Sequence, residues 1–134
     1  MPIYLAIEVE LIVGSAQVAE APAHEGSFVV VFEDDGDSGY FYAMDTSASG
    51  NPICDALHIY NVEDVGDREK PSVLRVGWSQ DHSKAVLLIN DYPHAVFDFT
   101  CRQGYCRSGF PPAMGNGWSE NGHEWDDGAM ALFA

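Results

Sequence analysis

Short apolar runs separated by turn-forming residues occupy most of the chain. The clearest alternation lies in residues 3–13, where Glu8 and Glu10 share one side of a period-two pattern and six aliphatic residues share the other: Ile3, Leu5, Ile7, Val9, Leu11 and Val13. This pattern is typical of a β-strand with one face in water. Residues 14–27 are rich in small and polar residues with a proline and two glycines, so we predict a connecting segment there.

Three strand reversals are predicted further along the chain. Residues 28–32 and 40–44 are β-branched and aromatic runs, and the sequence DDGDSG at 34–39 supplies the turn residues between them. Because its composition suits no buried element, we expect residues 34–39 to be a solvent-exposed turn. A second hairpin is predicted in residues 73–90, where QDH separates two apolar runs. The sequence DYP then leads into a further apolar run at 94–99. Together these segments predict an antiparallel meander.

Two segments are less regular. Residues 51–62 leave two interpretations open, because Asn51 and Pro52 could begin a short helix whereas the sequence ALHIYNV is typical of a strand; we favour the strand. Residues 63–72 are predicted to be a charged loop, and residues 107–128, rich in proline and glycine, an irregular surface excursion around Trp118 and Trp125.

The predicted fold is therefore mainly β: an antiparallel meander that forms a sandwich-like or strongly curved sheet with few short helices. An α+β fold is the alternative, which depends on the helical interpretation of residues 51–62. The chain of 134 residues is long enough for one hydrophobic core. We expect a single globular domain over residues 1–134, without a linker.

The charge of the chain narrows the choice of partners. Its 21 acidic and 6 basic residues give a net charge of −15, and no lysine or arginine precedes Arg68. Nucleic acids and anionic membranes are bound through basic side chains, so neither is an expected partner. The acidity is explained either by solubility alone or by recognition of a basic protein. An odd count of three cysteines and the lack of a secretory signal or long apolar stretch predict a cytoplasmic protein.

Metal sites are poorly supported by the spacing of the ligand residues. A calcium loop that begins at Asp35 would have Asp37 at its third position but Thr46 at its twelfth, where a bidentate acid is needed. Cys101 and Cys106 have a spacing that zinc accepts, but no second pair of ligands follows them. We expect no dedicated metal site and no cofactor.

Nucleophilic catalysis has equally little support. Cys54 with His58, or Cys106 with His94 or His123, could form a nucleophile and base, but none of these pairs lies in a recognisable catalytic motif. The sequence predicts no catalytic residue, and a non-enzymatic protein is favoured.

Several longer segments of the chain resemble segments of a known family. They are FEDDGDSGYFYAMD at 32–45, DALHIYNVEDV at 55–65, WSQDHSKAVLLINDYPHAVFDF at 78–99 and GYCRSGFPP at 104–112. Over roughly residues 28–127 the chain resembles a bacterial family catalogued as domain of unknown function 2251. The resemblance implies a small bacterial single-domain protein and supplies no catalytic residues.

Two functions from different classes are consistent with these observations. The first is an acidic protein-binding domain, such as an immunity-type or antitoxin-like inhibitor of a basic protein, because acidic fields and aromatic anchors favour such complexes. Its predicted contact residues are Glu33, Asp34, Asp35, Asp37, Tyr40 and Tyr42. The alternative is a small enzyme or ligand-binding domain whose pocket gathers Asp34, Asp35, His58, Tyr60, His94 and Arg107.

Overall fold

Two antiparallel β-sheets make up the fold. The computed structural model describes residues 3–113 and 115–133. Within them lie β1 (Ile3–Leu11), β2 (Gln17–Pro22), β3 (Phe28–Asp34), β4 (Ser38–Asp45), β5 (Ile53–Asn61), the 3-10 helix η1 (Val62–Asp64), β6 (Ser72–Ser79), β7 (Lys84–Ile89), β8 (Tyr92–Asp98), β9 (Gln103–Cys106) and the 3-10 helix η2 (Asp127–Phe133). One sheet has five strands in the order β1-β6-β7-β8-β9, and the other has four in the order β2-β3-β4-β5. The predicted mainly β, sandwich-like fold is confirmed.

The core lies between the inward faces of the two sheets. Residues two apart on a strand point to the same face, so the apolar members of each alternating run collect there. Trp78 of β6 reaches across from the five-stranded sheet, and its Nε1 donates a hydrogen bond to the carbonyl oxygen of Ala21 in β2 at 3.2 Å. The large side chains that are fully buried in this core include Leu11, Phe32, Phe41, Leu57, Leu74, Leu87 and Phe97.

The hairpins and the ambiguous segment follow the predictions. Residues 28–45 form the β3–β4 hairpin, residues 72–89 the β6–β7 hairpin, and a tight turn at Asn90 and Asp91 leads into β8. Residues 53–61 are a strand, β5, which pairs with β4 along its whole length. Strand was therefore the correct interpretation of the 51–62 segment.

The prediction of a connecting segment at 14–27 is wrong, because β2 lies within it. Residues Gln17–Pro22 pair with β3 in antiparallel register. The inward side chains of β2 are Ala19 and Ala21, which are 8% and 0% exposed. Alternating alanines give only a weak apolar signal in a sequence, so the strand is defined by its pairing with β3 rather than by its own composition.

The apolar and polar residues of β1 alternate regularly in the sequence, but the direction of its side chains in the structure does not. The pairing of β1 with β6 shifts register between Leu5 and Ile7, which is a β-bulge. Tyr4 and Leu5 are consequently 55% and 59% exposed. The first half of β1 thus presents apolar side chains to solvent, although the sequence predicts that Leu5 is buried.

The segment after β9 folds back over the free edges of β5 and β9. The backbone N–H of His58 donates to the carbonyl oxygen of Phe110 at 2.8 Å, and the hydroxyl of Ser108 donates to the carbonyl oxygen of His58 at 2.6 Å. Cys106 pairs with Glu124 in an isolated parallel bridge. This side of the sandwich is therefore closed by hydrogen bonds to the backbones of β5 and β9.

The segment after β9 also packs against the core between the sheets and forms part of a second, smaller hydrophobic cluster. Trp118 is only 8% exposed and meets the rings of Phe97 and Phe99 edge-on, so it is not at the surface as its predicted excursion implied. Helix η2 covers the outer face of the five-stranded sheet, where Phe133 is almost fully buried in a second small cluster with Val86 and Val96.

Candidate functional site

The acidic hairpin tip is a turn, as predicted, but its two ends are buried. Residues 35–37 connect β3 and β4. The carboxylate of Asp35 accepts hydrogen bonds from the N–H groups of Asp37 and Ser38, both at 2.9 Å, and these bonds lower its pKa. Asp34 is 1% exposed and Gly39 is also buried. The expectation that all of residues 34–39 are solvent-exposed is therefore wrong at these two positions.

Asp34 connects three parts of the chain. Its carboxylate accepts hydrogen bonds from the N–H of Gly14 and the N–H of Gly36, both at 2.8 Å, and from the hydroxyl of Tyr60 at 2.7 Å. Burial and this carboxylate raise the pKa of Tyr60. The ring of Tyr60 lies over Gly39, where a Cβ atom would come within 2.6 Å of it. Asp34 is therefore a structural residue and not a contact residue.

Of the other predicted contact residues, Glu33, Tyr40 and Tyr42 lie on the outside of the four-stranded sheet, and Asp35 and Asp37 lie in the turn at its end. Glu33 pairs with Tyr40 across the β3–β4 hairpin, and the rings of Tyr40 and Tyr42 are stacked with their centroids 5.9 Å apart. Burial and the nearby Glu33 carboxylate raise the pKa of Tyr42. The Asp35 carboxylate contributes to the raised pKa of Tyr42, and both Asp35 and Asp37 are exposed at the hairpin tip. We call this surface the acidic-aromatic face; it comprises Glu33, Asp35, Asp37, Tyr40 and Tyr42.

The residues of the alternative pocket form separate contacts. Asp34 binds Tyr60 at the base of the hairpin tip, as described above. His58 lies against Tyr40 on the outer face, and its Nε2 is 3.0 Å from Oδ1 of Asn61. The backbone of His94 accepts a hydrogen bond from Arg107, and burial together with the Arg107 guanidinium lowers the pKa of His94.

Arg107 is enclosed by aromatic rings. Its guanidinium carbon lies 3.9 Å from the ring centroid of Trp125 and 4.7 Å from that of Tyr92. Nε donates a hydrogen bond to the carbonyl oxygen of Pro93 at 3.1 Å. Two cation–π contacts and this hydrogen bond therefore hold the side chain in place on the surface.

A buried polar network escaped the sequence analysis. Asp55 of β5 is 1% exposed and His123 is fully buried. Nε2 of His123 lies 2.9 Å from Oδ1 of Asp55, and the hydroxyl of Ser119 donates to Oδ2 of Asp55 at 2.6 Å. Nδ1 of His123 faces the carbonyl oxygen of Pro111. Asp55 and His123 are 68 positions apart, and neither lies in a catalytic or metal-binding motif, so the sequence offers no signal that joins them.

This network contains the residue types of a catalytic triad, but its arrangement is structural. The Ser119 hydroxyl donates to Asp55 instead of to a histidine, and it accepts a hydrogen bond from the N–H of Gly104 at 2.8 Å. A triad needs the serine next to the histidine and open to a substrate. Ser119 is 1% exposed, so a substrate cannot reach it.

His123 carries a proton on both nitrogens in this arrangement. Each nitrogen faces an oxygen acceptor, which only an N–H group satisfies, so the ring is the imidazolium ion. Burial alone lowers the pKa of His123, but the hydrogen bonds with Asp55 and Pro111 outweigh it, and the pKa is raised above its usual 6.5. Asp55 and His123 therefore form a buried ion pair that fixes the 111–123 segment to β5.

The stability of the protein should consequently decline at alkaline pH. Because the folded state holds the His123 proton more tightly than the unfolded chain does, the contribution is complete below about pH 6.5 and is lost as pH rises through the folded-state pKa. We expect the difference in free energy of unfolding between the wild type and His123→Gln to shrink from about pH 6 to about pH 9 in urea titrations.

A matched control is His24→Gln, which changes an exposed histidine. Its free energy of unfolding should run parallel to that of the wild type across the same pH range. A wild-type advantage over His123→Gln that stays constant or increases with pH would contradict the charged state assigned to His123.

The positions of the cysteines and of the possible metal ligands bear on the remaining candidate chemistries. Cys54, Cys101 and Cys106 are free thiols, half-buried, exposed and buried respectively. Over residues 3–113 and 115–133, His, Cys, Asp and Glu side chains do not gather in groups of three or more that could hold a metal ion. In the same residues, no helix is long and apolar enough to cross a membrane.

The fold and its surfaces define a small antiparallel β-sandwich. One side of it is covered by the segment after β9, which the Asp55–His123 ion pair holds in place, and its acidic-aromatic face is partly exposed. Residues 11–134 match the family described as "Uncharacterized protein conserved in bacteria (DUF2251)", and the chain belongs to this family. An "Uncharacterized protein" of Haemophilus influenzae is 40% identical over 119 residues, which cover 87% of this chain and 74% of that protein. No solved structure matches the chain. The family resemblance of the sequence is confirmed.

Proposed function

We propose that the protein is a non-enzymatic binding domain, of the immunity-type or antitoxin-like kind, that engages a basic protein through its acidic-aromatic face. The observation that carries the proposal is the stacked pair Tyr40 and Tyr42 on the outer side of a sheet, beside Glu33 and the carboxylates of the hairpin tip. Tyrosine combines a large apolar ring with a polar hydroxyl and is enriched where interfaces lose their water.

The charge of the chain supports a basic partner. At −15, the protein attracts basic proteins over distances of about 8 Å at physiological ionic strength. Asp35 and Asp37 are exposed at the hairpin tip, so their charges act on an approaching molecule before contact. Such fields mainly raise the association rate, whereas buried aromatic side chains mainly slow dissociation. We place this interaction in the cytoplasm, which the three free thiols favour.

The first test is kinetic. A basic protein is captured at low salt from a lysate of the source bacterium and purified, and its binding is followed by stopped-flow fluorescence. The Asp35→Asn/Asp37→Asn double variant should associate roughly tenfold more slowly at low ionic strength, and the deficit should shrink as salt is added. Tyr42→Ala should instead speed dissociation.

The control carries the same loss of charge elsewhere. Glu120→Gln/Glu124→Gln removes two exposed carboxylates from the segment that follows β9, and we expect it to change the association rate much less. The proposal is abandoned if capture returns no basic protein, or if both double variants slow association equally. Asp34 is left unchanged in these variants, because its substitution would disturb the fold.

A further inference from the structure

Most of the sheet edges in this fold are protected. The edges of β5 and β9 are covered by the 107–124 segment. β2 carries the exposed Glu20 and ends at Pro22, and near its start Gln17 Nε2 donates to the carbonyl oxygen of Glu10 at 3.0 Å. Charges, proline and covering segments of this kind prevent edge-to-edge pairing.

The first half of β1 has no charge, internal proline or covering segment in the part of the chain that the structure describes, and the bulge between Leu5 and Ile7 is its one irregularity. β1 is the outermost strand of the five-stranded sheet, and its pairing within the described residues is with β6 on one side. Its sequence in residues 3–7 is IYLAI, without charge, glycine or proline, and the first acid is Glu8. Tyr4 and Leu5 are more than half exposed there. An apolar, uncharged edge strand of this kind readily accepts another strand.

An open groove runs beside this edge. Its volume is about 600 Å³, and it is lined by Tyr4, Leu5, Ala6, Pro22, His24, Trp78, Gln80 and His82. Trp78 is 2% exposed and is fixed by its hydrogen bond to Ala21. His24 and His82 stand with their ring centroids 5.8 Å apart, and Nδ1 of His82 is buried without a hydrogen-bond partner. The groove thus has a rigid aromatic wall at Trp78.

The charge distribution decides which occupant fits. A second copy would bring another net charge of −15 to the same edge, which opposes pairing between copies. Arg75 in β6 is bound to Glu8, with Nε and Oε1 2.6 Å apart, and Lys84 at the start of β7 is bound to Asp81. Glu25, next to His24 in the chain, is exposed. An occupant with basic flanks is therefore complementary.

We propose that residues 3–7 of β1 are a docking edge for an extended segment of a basic partner protein. The segment adds to the five-stranded sheet as a further strand and places an apolar side chain in the groove against Trp78. Backbone hydrogen bonds supply the affinity and the groove supplies the selectivity, as in other cases of strand addition. The inference rests on the proposed function for the basic charge of the partner. It adds a second contact surface on this protein and an extended conformation for the bound segment of the partner.

The probe is a library of random linear peptides displayed on phage and selected against the whole protein at low ionic strength. Enriched peptides should alternate apolar residues, carry lysine or arginine at their ends and lack a central proline. A synthetic peptide of the enriched sequence should slow hydrogen exchange of the amides in residues 3–7. Leu5→Lys, at a position 59% exposed in the free protein, should weaken its binding on the order of tenfold.

The control is Val73→Lys, which adds the same charge at a 40% exposed valine of β6 and should leave binding within about twofold of the wild type. The proposal is overturned if no peptide is enriched, if the peptides protect other segments, or if the two variants bind equally. It is also overturned if sedimentation shows a dimer that Leu5→Lys dissociates, because a second copy then occupies the edge.

Failure of this inference is distinguishable from failure of the proposed function. If Asp35→Asn/Asp37→Asn slows association of a captured basic protein but Leu5→Lys leaves its binding unchanged, only the docking edge is wrong. If peptides protect β1 while the captured protein is insensitive to the hairpin-tip variant, only the acidic-aromatic face is wrong.

Discussion

Replacing His123 with alanine should lower the free energy of unfolding by about 3–5 kcal/mol, the cost of removing one partner from a buried ion pair. Asp55 is 1% exposed and would lose the imidazolium that compensates it. The alanine would also leave a void beneath the 111–123 segment and free the carbonyl oxygen of Pro111. Urea unfolding followed by tryptophan fluorescence measures the loss, with Trp118 as a probe close to the network in sequence.

A double-mutant cycle on Asp55 and His123 distinguishes the loss of an ion pair from a loss of packing alone. We expect the Asp55→Ala/His123→Ala double variant to lose considerably less stability than the sum of the two single losses, because neither charge is then left alone. Replacement of the exposed His24 with alanine should change stability by less than about 0.5 kcal/mol. Additive losses would contradict the ion pair, and so would a His123→Ala variant as stable as the wild type.

Asp34→Ala is expected to have the second largest effect, a loss of at least about 3 kcal/mol. Its carboxylate accepts three hydrogen bonds, two of them from backbone N–H groups, and hydrogen bonds to charged groups contribute about 1.5–3 kcal/mol each without full additivity. Alanine would leave these donors unpaired at the junction of the β1–β2 loop, the hairpin tip and β5. The measurement is the same urea titration.

Two further variants test the reason for this loss. Asp37→Ala makes the same change in charge at an exposed position two residues from the buried Gly39 and should cost less than about 0.5 kcal/mol. Tyr60→Phe removes a single donor and should cost about 1.5 kcal/mol. Equal losses for Asp34→Ala and Asp37→Ala would mean that charge alone determines the effect and that Asp34 does not hold the loops together.

The acidic hairpin illustrates how far local sequence reasoning reaches. The turn was predictable because its residue types are defined over a few positions, and the outward direction of Glu33, Tyr40 and Tyr42 follows from their alternation with Phe32 and Phe41. The role of Asp34 was not predictable. Its partners Gly14 and Tyr60 come from distant segments, so nothing in the sequence DDGDSG distinguishes it from Asp35 or Asp37.

The sequence by itself determined the class of this protein: an acidic, mainly β chain whose apolar alternation and turn residues specify most of its strands and hairpins. These features depend on neighbours in the chain, and their physical causes act locally. Only the tertiary structure decided that alanine-rich β2 is a strand, that Asp34 and Asp55 are buried and that residues 3–7 form an open edge. The reason is that burial, ion pairing and edge exposure depend on which distant segments meet, as Asp55 and His123 do across 68 positions.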